Sequence, residues 1–180
     1  MSTWQVQDAK ARFSELLDAC KSEGPQIVTR RGREDAARVG RYLVEEKLIP
    51  NLAVVSDAHR TRETLDCLMA ETGRSFKTLI DPALYMAEDF ILMSELHKTP
   101  ELVQTMLVVC HNPGLAEFAL RVCGSGDPQA LAHMDMKYPT SGLALVDFGD
   151  KPWASIKWGD GRLDRFVTPS MLVEGVDDLD

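Results

Sequence analysis

No apolar run in this 180-residue chain approaches the ~20 residues that span a bilayer, so no membrane-spanning helix is expected. The opening stretch, MSTWQVQDAK, has no apolar leader core. Cysteine is scarce. Cys20, Cys67, Cys110 and Cys123 show no Cys-x-x-Cys spacing and sit in helix or strand patterns. They read as reduced, buried thiols of a cytoplasmic protein, with no metal site and no cofactor expected. There is no internal repeat and no low-complexity tract. An excess of positive charge is also missing, since the formal net charge is −8. It is uneven: residues 1–34 hold six Lys and Arg against five Asp and Glu, and the remainder holds fourteen against twenty-three. An acidic body excludes broad nucleic-acid binding there, because such affinity rests on neutralising phosphates. The N-terminal segment escapes that exclusion.

What is present divides near residues 30–34. The first piece reads strand, helix, strand. TWQV is β-prone, Asp8 is placed to cap a helix, and Ala9, Phe13, Leu16, Leu17 and Cys20 recur at helical spacing. That apolar stripe is expected to pack against the body or against a second copy, as in a homodimer. Gly24-Pro25 ends the helix, and QIVT reads as a second strand.

The second piece alternates. Helices are expected over 34–47, 60–72 (closed by Gly73), 88–97 and 114–123 (closed by Gly124). Strands are expected at LAVVS (52–56), KTLI (77–80), QTMLVVCH (104–111), LALVDF (143–148), ASIKW (154–158) and RLDRFV (162–167). LAVVS is a continuous apolar run, as in strands buried on both faces. QTMLVVCH is the strongest candidate for a central strand. Alternation predicts an α/β fold with a mostly parallel sheet and helices on both faces, the closing strands adding antiparallel pairs. MLVEGVDDLD reads as a frayed acidic tail.

In such sheets, ligands bind at the carboxyl ends of the strands. Two ends carry unusual polar residues. LAVVS runs into SDAHRTRET, with Ser56, His59, Arg60, Arg62 and Thr64, and LVVC runs into HNPG, with His111 and Asn112 opening a helix. A helix N-terminus offers free N–H groups and the positive end of a dipole, which suits phosphate. Arg60 adds a fork for phosphoryl oxygens, and His111 adds a further donor. His59 and Arg62 read as solvated, and His97 and His133 as surface or capping residues.

SDAHRTRET, LVVCHNPGL and KYPTSGLALVDF, in that order, resemble the histidine phosphatase superfamily, and most closely its small SixA-type phosphohistidine phosphatases. RGREDAARVGRYL, DPALYMAED and WASIKWGDGRLDRFVTP match the same branch, so the resemblance covers about residues 31–171. It implies a phosphoglycerate-mutase-like fold and a phosphate or phosphohistidine-bearing protein as partner. It makes Arg60 the phosphate-gripping arginine and His111 the second pocket histidine, which steadies the transferring group. Tyr85 and Glu88 lie in a block that edges the pocket. The family's nucleophile, a histidine in an Arg-His-Gly motif on the first strand, has no counterpart: no histidine precedes residue 59. An inactive or impaired enzyme that still binds phosphate is therefore expected.

Residues 1–34 resemble a different family, the Phd/YefM-type antitoxins, which repress their own operon and neutralise a toxin. That resemblance implies a DNA-contacting surface at Lys10, Arg12, Arg30, Arg31 and Arg33, with DNA or a toxin as partner. The expected organisation is an antitoxin-like segment at 1–33, a phosphatase-like domain lacking its first strand at 34–171, and an acidic tail at 172–180. QIVTRRG is the segment available for the place of that first strand. There it would bring Arg30 and Arg31 to the phosphate pocket, neither able to attack phosphorus because guanidinium stays protonated.

Overall fold

A computed structural model describes residues 30–173. The strands and helix expected before residue 30, with Lys10 and Arg12, lie outside the described residues, as does the tail from 174. So do the side chains of Arg30 and Arg31, whose backbone opens the first helix.

The element order is α1 (Arg30–Glu45), β1 (Leu52–Ser56), α2 (His59–Thr72), β2 (Lys77–Asp81), α3 (Asp89–His97), β3 (Met106–Val109), α4 (Gly114–Val122), β4 (Cys123–Gly126), α5 (Pro128–Met136), β5 (Leu143–Asp147) and β6 (Gly161–Val167). Among the described residues these strands form two three-stranded sheets, in orders β2-β1-β3 and β4-β6-β5. Three of the pairings are parallel, and β5–β6 is antiparallel, as the closing strands suggested.

β1 organises the first sheet. Every one of its residues is buried, because successive side chains point to opposite faces and both faces are covered. Ala53 and Val55 pack with Leu65 of α2. Leu52 and Val54 pack with Leu92 and Leu96 of α3 and with Phe118 and Val122 of α4. On the α2 side, α1 adds Val39 and Leu43 against Leu68. The helices thus lie on both sides of the sheet.

Several elements differ from expectation. QTMLVVCH yields only the four-residue β3, which is an edge strand among the described residues. ASIKW is not a strand. Trp153–Ser155 forms a single 3₁₀ turn instead, and Trp153 Nε1 donates to the Val103 carbonyl at 2.6 Å. Gly124 does not merely close a helix but lies within β4. Helix α5 was not anticipated, although Asp127 caps it with bonds from the Gln129 and Ala130 amides, and Pro128 opens it.

Candidate phosphate-binding site

The parallel register of β1 and β3 brings two polar strand ends together. Val55 is level with Val109, so Ser56 and the residues following β3 emerge side by side. His111 is 5% exposed, and Ser56 is fully buried. His111 Nε2 lies 2.8 Å from Ser56 Oγ. On the other side of the ring, Nδ1 lies 2.7 Å from Arg60 Nη2 and 3.2 Å from Arg60 Nε.

Those distances fix the protonation. A guanidinium only donates, so Nδ1 must carry its lone pair and accept. The ring is then neutral, and its one proton sits on Nε2 and is donated to Ser56. The electrostatics agree. Burial pushes the His111 pKa below its usual value, and the Arg60 charge pushes it further, against a smaller opposing pull from Asp57.

Tyr85 completes the enclosure. Its ring meets His111 edge-on at 5.3 Å between centroids and lies under the Arg60 guanidinium at 5.6 Å. The Cys110 thiol donates to the Leu84 carbonyl at 3.1 Å, which holds the end of β3 against the turn preceding Tyr85. Thr61 donates to the Ser56 carbonyl at 2.9 Å and so fastens the start of α2 to the end of β1.

The HNPG segment is equally constrained. A Cβ on Gly114 would fall 1.9 Å from the Ala87 carbonyl oxygen and 3.3 Å from the Glu88 Cα, so only glycine opens α4 at this closeness. The same contact puts Glu88, the residue before α3, beside the start of α4. Asn112 Nδ2 donates to the Tyr138 carbonyl at 3.0 Å, and this ties the loop to the chain leading into β5.

Of the residues singled out from the sequence, Arg60, His111 and Tyr85 are therefore in mutual contact. Asn112 adjoins them and anchors the loop. Arg33 pairs with Glu63, one turn beyond Arg60 on α2. The other histidines have separate surroundings: His97 bonds the Ile156 carbonyl at 2.7 Å, His133 packs edge-on to Phe166, and His59 is exposed. Ser56 was noted in its motif but not as the partner of His111. The signal was available, because parallel strands with matched ends put their next residues at one level.

The arrangement can hold an anion. Arg60 is exposed on its outer side and has N–H groups beyond the two aimed at His111. The start of α4 opens beside it.

The fold and the N-terminal segment both have counterparts among known proteins. Residues 1–39 match the family model described as antitoxin Phd_YefM of type II toxin-antitoxin systems. The uncharacterized protein Rv1276c of Mycobacterium tuberculosis is 30% identical over 141 residues, 77% of this chain and 86% of that protein. Among solved structures, one from Agrobacterium tumefaciens assigned as the phosphohistidine phosphatase SixA has a TM-score of 0.64 at 22% identity, covering 79% of this chain and 82% of that one. A protein histidine phosphatase SixA complexed with tungstate has a TM-score of 0.64 at 18% identity, covering 81% and 86%. The phosphoglycerate mutase of Plasmodium falciparum has a TM-score of 0.54 at 16% identity, covering 84% and 91%. The chain thus has the α/β fold of phosphohistidine phosphatases and phosphoglycerate mutase, carries an antitoxin-like segment at its N-terminal end, and belongs to the family of Rv1276c.

Proposed function

We propose that the body of this protein binds a phosphoryl group, as phosphate or on a phosphohistidine-bearing protein, through Arg60 and His111, and that it turns it over poorly or not at all. The observation that carries this reading is the Arg60 fork set against a neutral, buried His111 whose other nitrogen is held by Ser56.

An arriving phosphate competes with Nδ1 for the guanidinium. Arg60 turns its fork to the phosphoryl oxygens, where charge-assisted bonds are stronger than a bond to a neutral ring. Nδ1 is then free to take a proton and donate to the same anion. Asn112, Tyr85 and Glu88 form the rim of this site.

Turnover by a covalent route needs a nucleophile with a free electron pair. The unprotonated nitrogen of His111 faces Arg60, and the other carries the proton given to Ser56. That polarity is wrong for His111 to activate Ser56 as a base would. No other histidine shares the pocket contacts. The phosphate is held without the second histidine that a covalent relay requires.

The test has two parts. Titration with inorganic phosphate, read on the His111 ring by NMR, should raise its pKa as the anion binds. Incubation with a phosphohistidine protein should release no phosphate at ordinary phosphatase rates. Rapid release that disappears in His111→Ala would overturn the reading.

A second reading rests on the match of residues 1–39 to the antitoxin family. It makes the N-terminal segment a DNA-binding or toxin-binding element, with Lys10, Arg12, Arg30, Arg31 and Arg33 as the contact surface. A mobility shift on DNA upstream of the protein's own gene tests it. Unchanged binding by Arg30→Ala/Arg31→Ala would contradict the assigned surface.

A further inference from the structure

The turn between β2 and α3 touches each part of the site. Leu84 and Ala87 are buried and anchor it, whereas Tyr85 and Met86 between them are exposed. The Leu84 carbonyl accepts from Cys110, just after β3, and the Ala87 carbonyl lies against Gly114 at the start of α4. The Ala87 amide donates to the Leu84 carbonyl at 3.4 Å, Tyr85 has φ −67° and ψ 112°, and Met86 has φ +52°. This is the geometry of a type II turn, whose third residue needs a positive φ and is ordinarily glycine or asparagine. Methionine is strained at that place, because its Cβ crowds the backbone in the left-handed region. Such strain persists only where the surroundings enforce it, and it clusters at ligand-holding sites.

The strained residue reaches Arg60. Nε and Nη2 of Arg60 both face His111 Nδ1, and Nη2 also lies 4.0 Å from Met86 Sδ. The Tyr85 ring lies under the same guanidinium. Arg60 thus has His111 on one edge, Tyr85 on one face and Met86 beyond Nη2. It is itself exposed, in the first turn of α2. Without these contacts its long side chain would sample many rotamers in water. Met86 suits the task of holding it. A thioether is a weak acceptor on an unbranched, flexible chain. It can pack against the fork and still yield to a phosphoryl oxygen, whose bond to guanidinium is charge-assisted.

We propose that Met86 is a positioning residue, which holds the Arg60 guanidinium against His111, and that the strained turn serves to carry it there. The benefit to phosphate binding rests on the reading of Arg60 and His111 as a phosphoryl site, whereas the placement of Arg60 does not. Glycine at 86 relaxes the turn and gives up the reach. Alanine keeps the strain and also gives up the reach. Leucine, close to methionine in volume, keeps most of the packing. The three substitutions therefore separate the backbone of this turn from its side chain.

The test compares Met86→Gly, Met86→Ala and Met86→Leu in the full-length protein. Titration of His111 by NMR without phosphate reads the placement of Arg60, because that charge helps burial to hold the His111 pKa down, against Asp57. In Met86→Gly the His111 pKa should rise toward its ordinary value, while the urea midpoint stays at or above that of the wild type. Met86→Ala should show the same rise. Inorganic phosphate should bind both variants about 3- to 10-fold more weakly by calorimetry, as when one long side chain must be ordered on binding. Met86→Leu should match the wild type in both measurements. A wild-type His111 pKa in the glycine and alanine variants would overturn the proposal. A lowered midpoint in Met86→Gly would assign Met86 to stability instead and overturn it too. If the wild type takes no phosphate, the phosphoryl reading fails, and the His111 titration still decides the role of Met86. If the short variants fail to fold, the wild type decides: NOEs from the Met86 methyl group to the Arg60 side chain are expected, and their absence in an assigned spectrum overturns the proposal.

Discussion

LAVVS and MLVV are near-copies in composition, yet they occupy different situations. The first lies between two parallel partners with all of its residues buried. The second has one described partner and a cavity on its other edge, and three of its four residues are partly exposed. The contrast shows that a continuous apolar run records the burial a strand is suited to, not the burial its described neighbours provide. The two strands nevertheless act together at their carboxyl ends. β1 supplies Ser56 and leads into Arg60, and β3 leads into His111.

The contrast can be broken by mutation. Leu52→Ala, at a core position 1% exposed, should cost about 2–5 kcal/mol in urea unfolding. Leu107→Ala on β3 should cost clearly less, because it is only partly buried. Equal losses would mean that β3 is as enclosed as β1 in solution.

The joint site comes next. Arg60→Ala removes charge-assisted bonds of about 1.5–3 kcal/mol, so inorganic phosphate should bind about 10- to 100-fold more weakly by calorimetry. An unchanged affinity would take Arg60 out of the site. Ser56→Ala leaves the His111 Nε2–H without its acceptor in a buried place, which should cost about 1–3 kcal/mol of stability. A wild-type unfolding midpoint in that variant would show that the ring has another partner.

The smallest effect is on pH. The folded pKa of His111 lies below its unfolded value, so below about pH 6.5 the unfolded chain binds a proton that the folded ring resists. The stability contributed by the neutral ring is complete above the unfolded pKa and is lost as pH falls through the folded one. Denaturant midpoints should therefore fall on acidification across that window, and less steeply in His111→Gln. Identical slopes would remove His111 from the titration.

Much of this was legible in the chain. The 3–4 spacing of Ala36, Val39 and Leu43 gave α1 its buried face, and the apolar run at 52–56 gave β1. Gly73 marked the end of α2 and adopts φ +60 there. His111 and Arg60 were legible as polar residues placed after strands, where a ligand-binding α/β fold opens. Other features were not. Cys123–Gly126 reads CGSG, with no strand-favouring side chain, and becomes a strand only through its parallel pairing with β6. ASIKW has strand-like composition, but the Trp153 bond to Val103 and the burial of Ile156 draw it into a turn. The role of Ser56 as the partner of His111 depends on a contact across 55 residues of chain, which no local pattern records.

By itself the sequence determined the alternation of elements, the acidic body and the polar residues that follow β1 and β3. These follow from periodicity, composition and side-chain chemistry, which are local properties. Tertiary structure alone decided that the Arg60 fork meets Nδ1 and that the His111 proton lies on Nε2. Each of those depends on register and packing between segments far apart in the chain, where burial and the direction of a hydrogen bond are set.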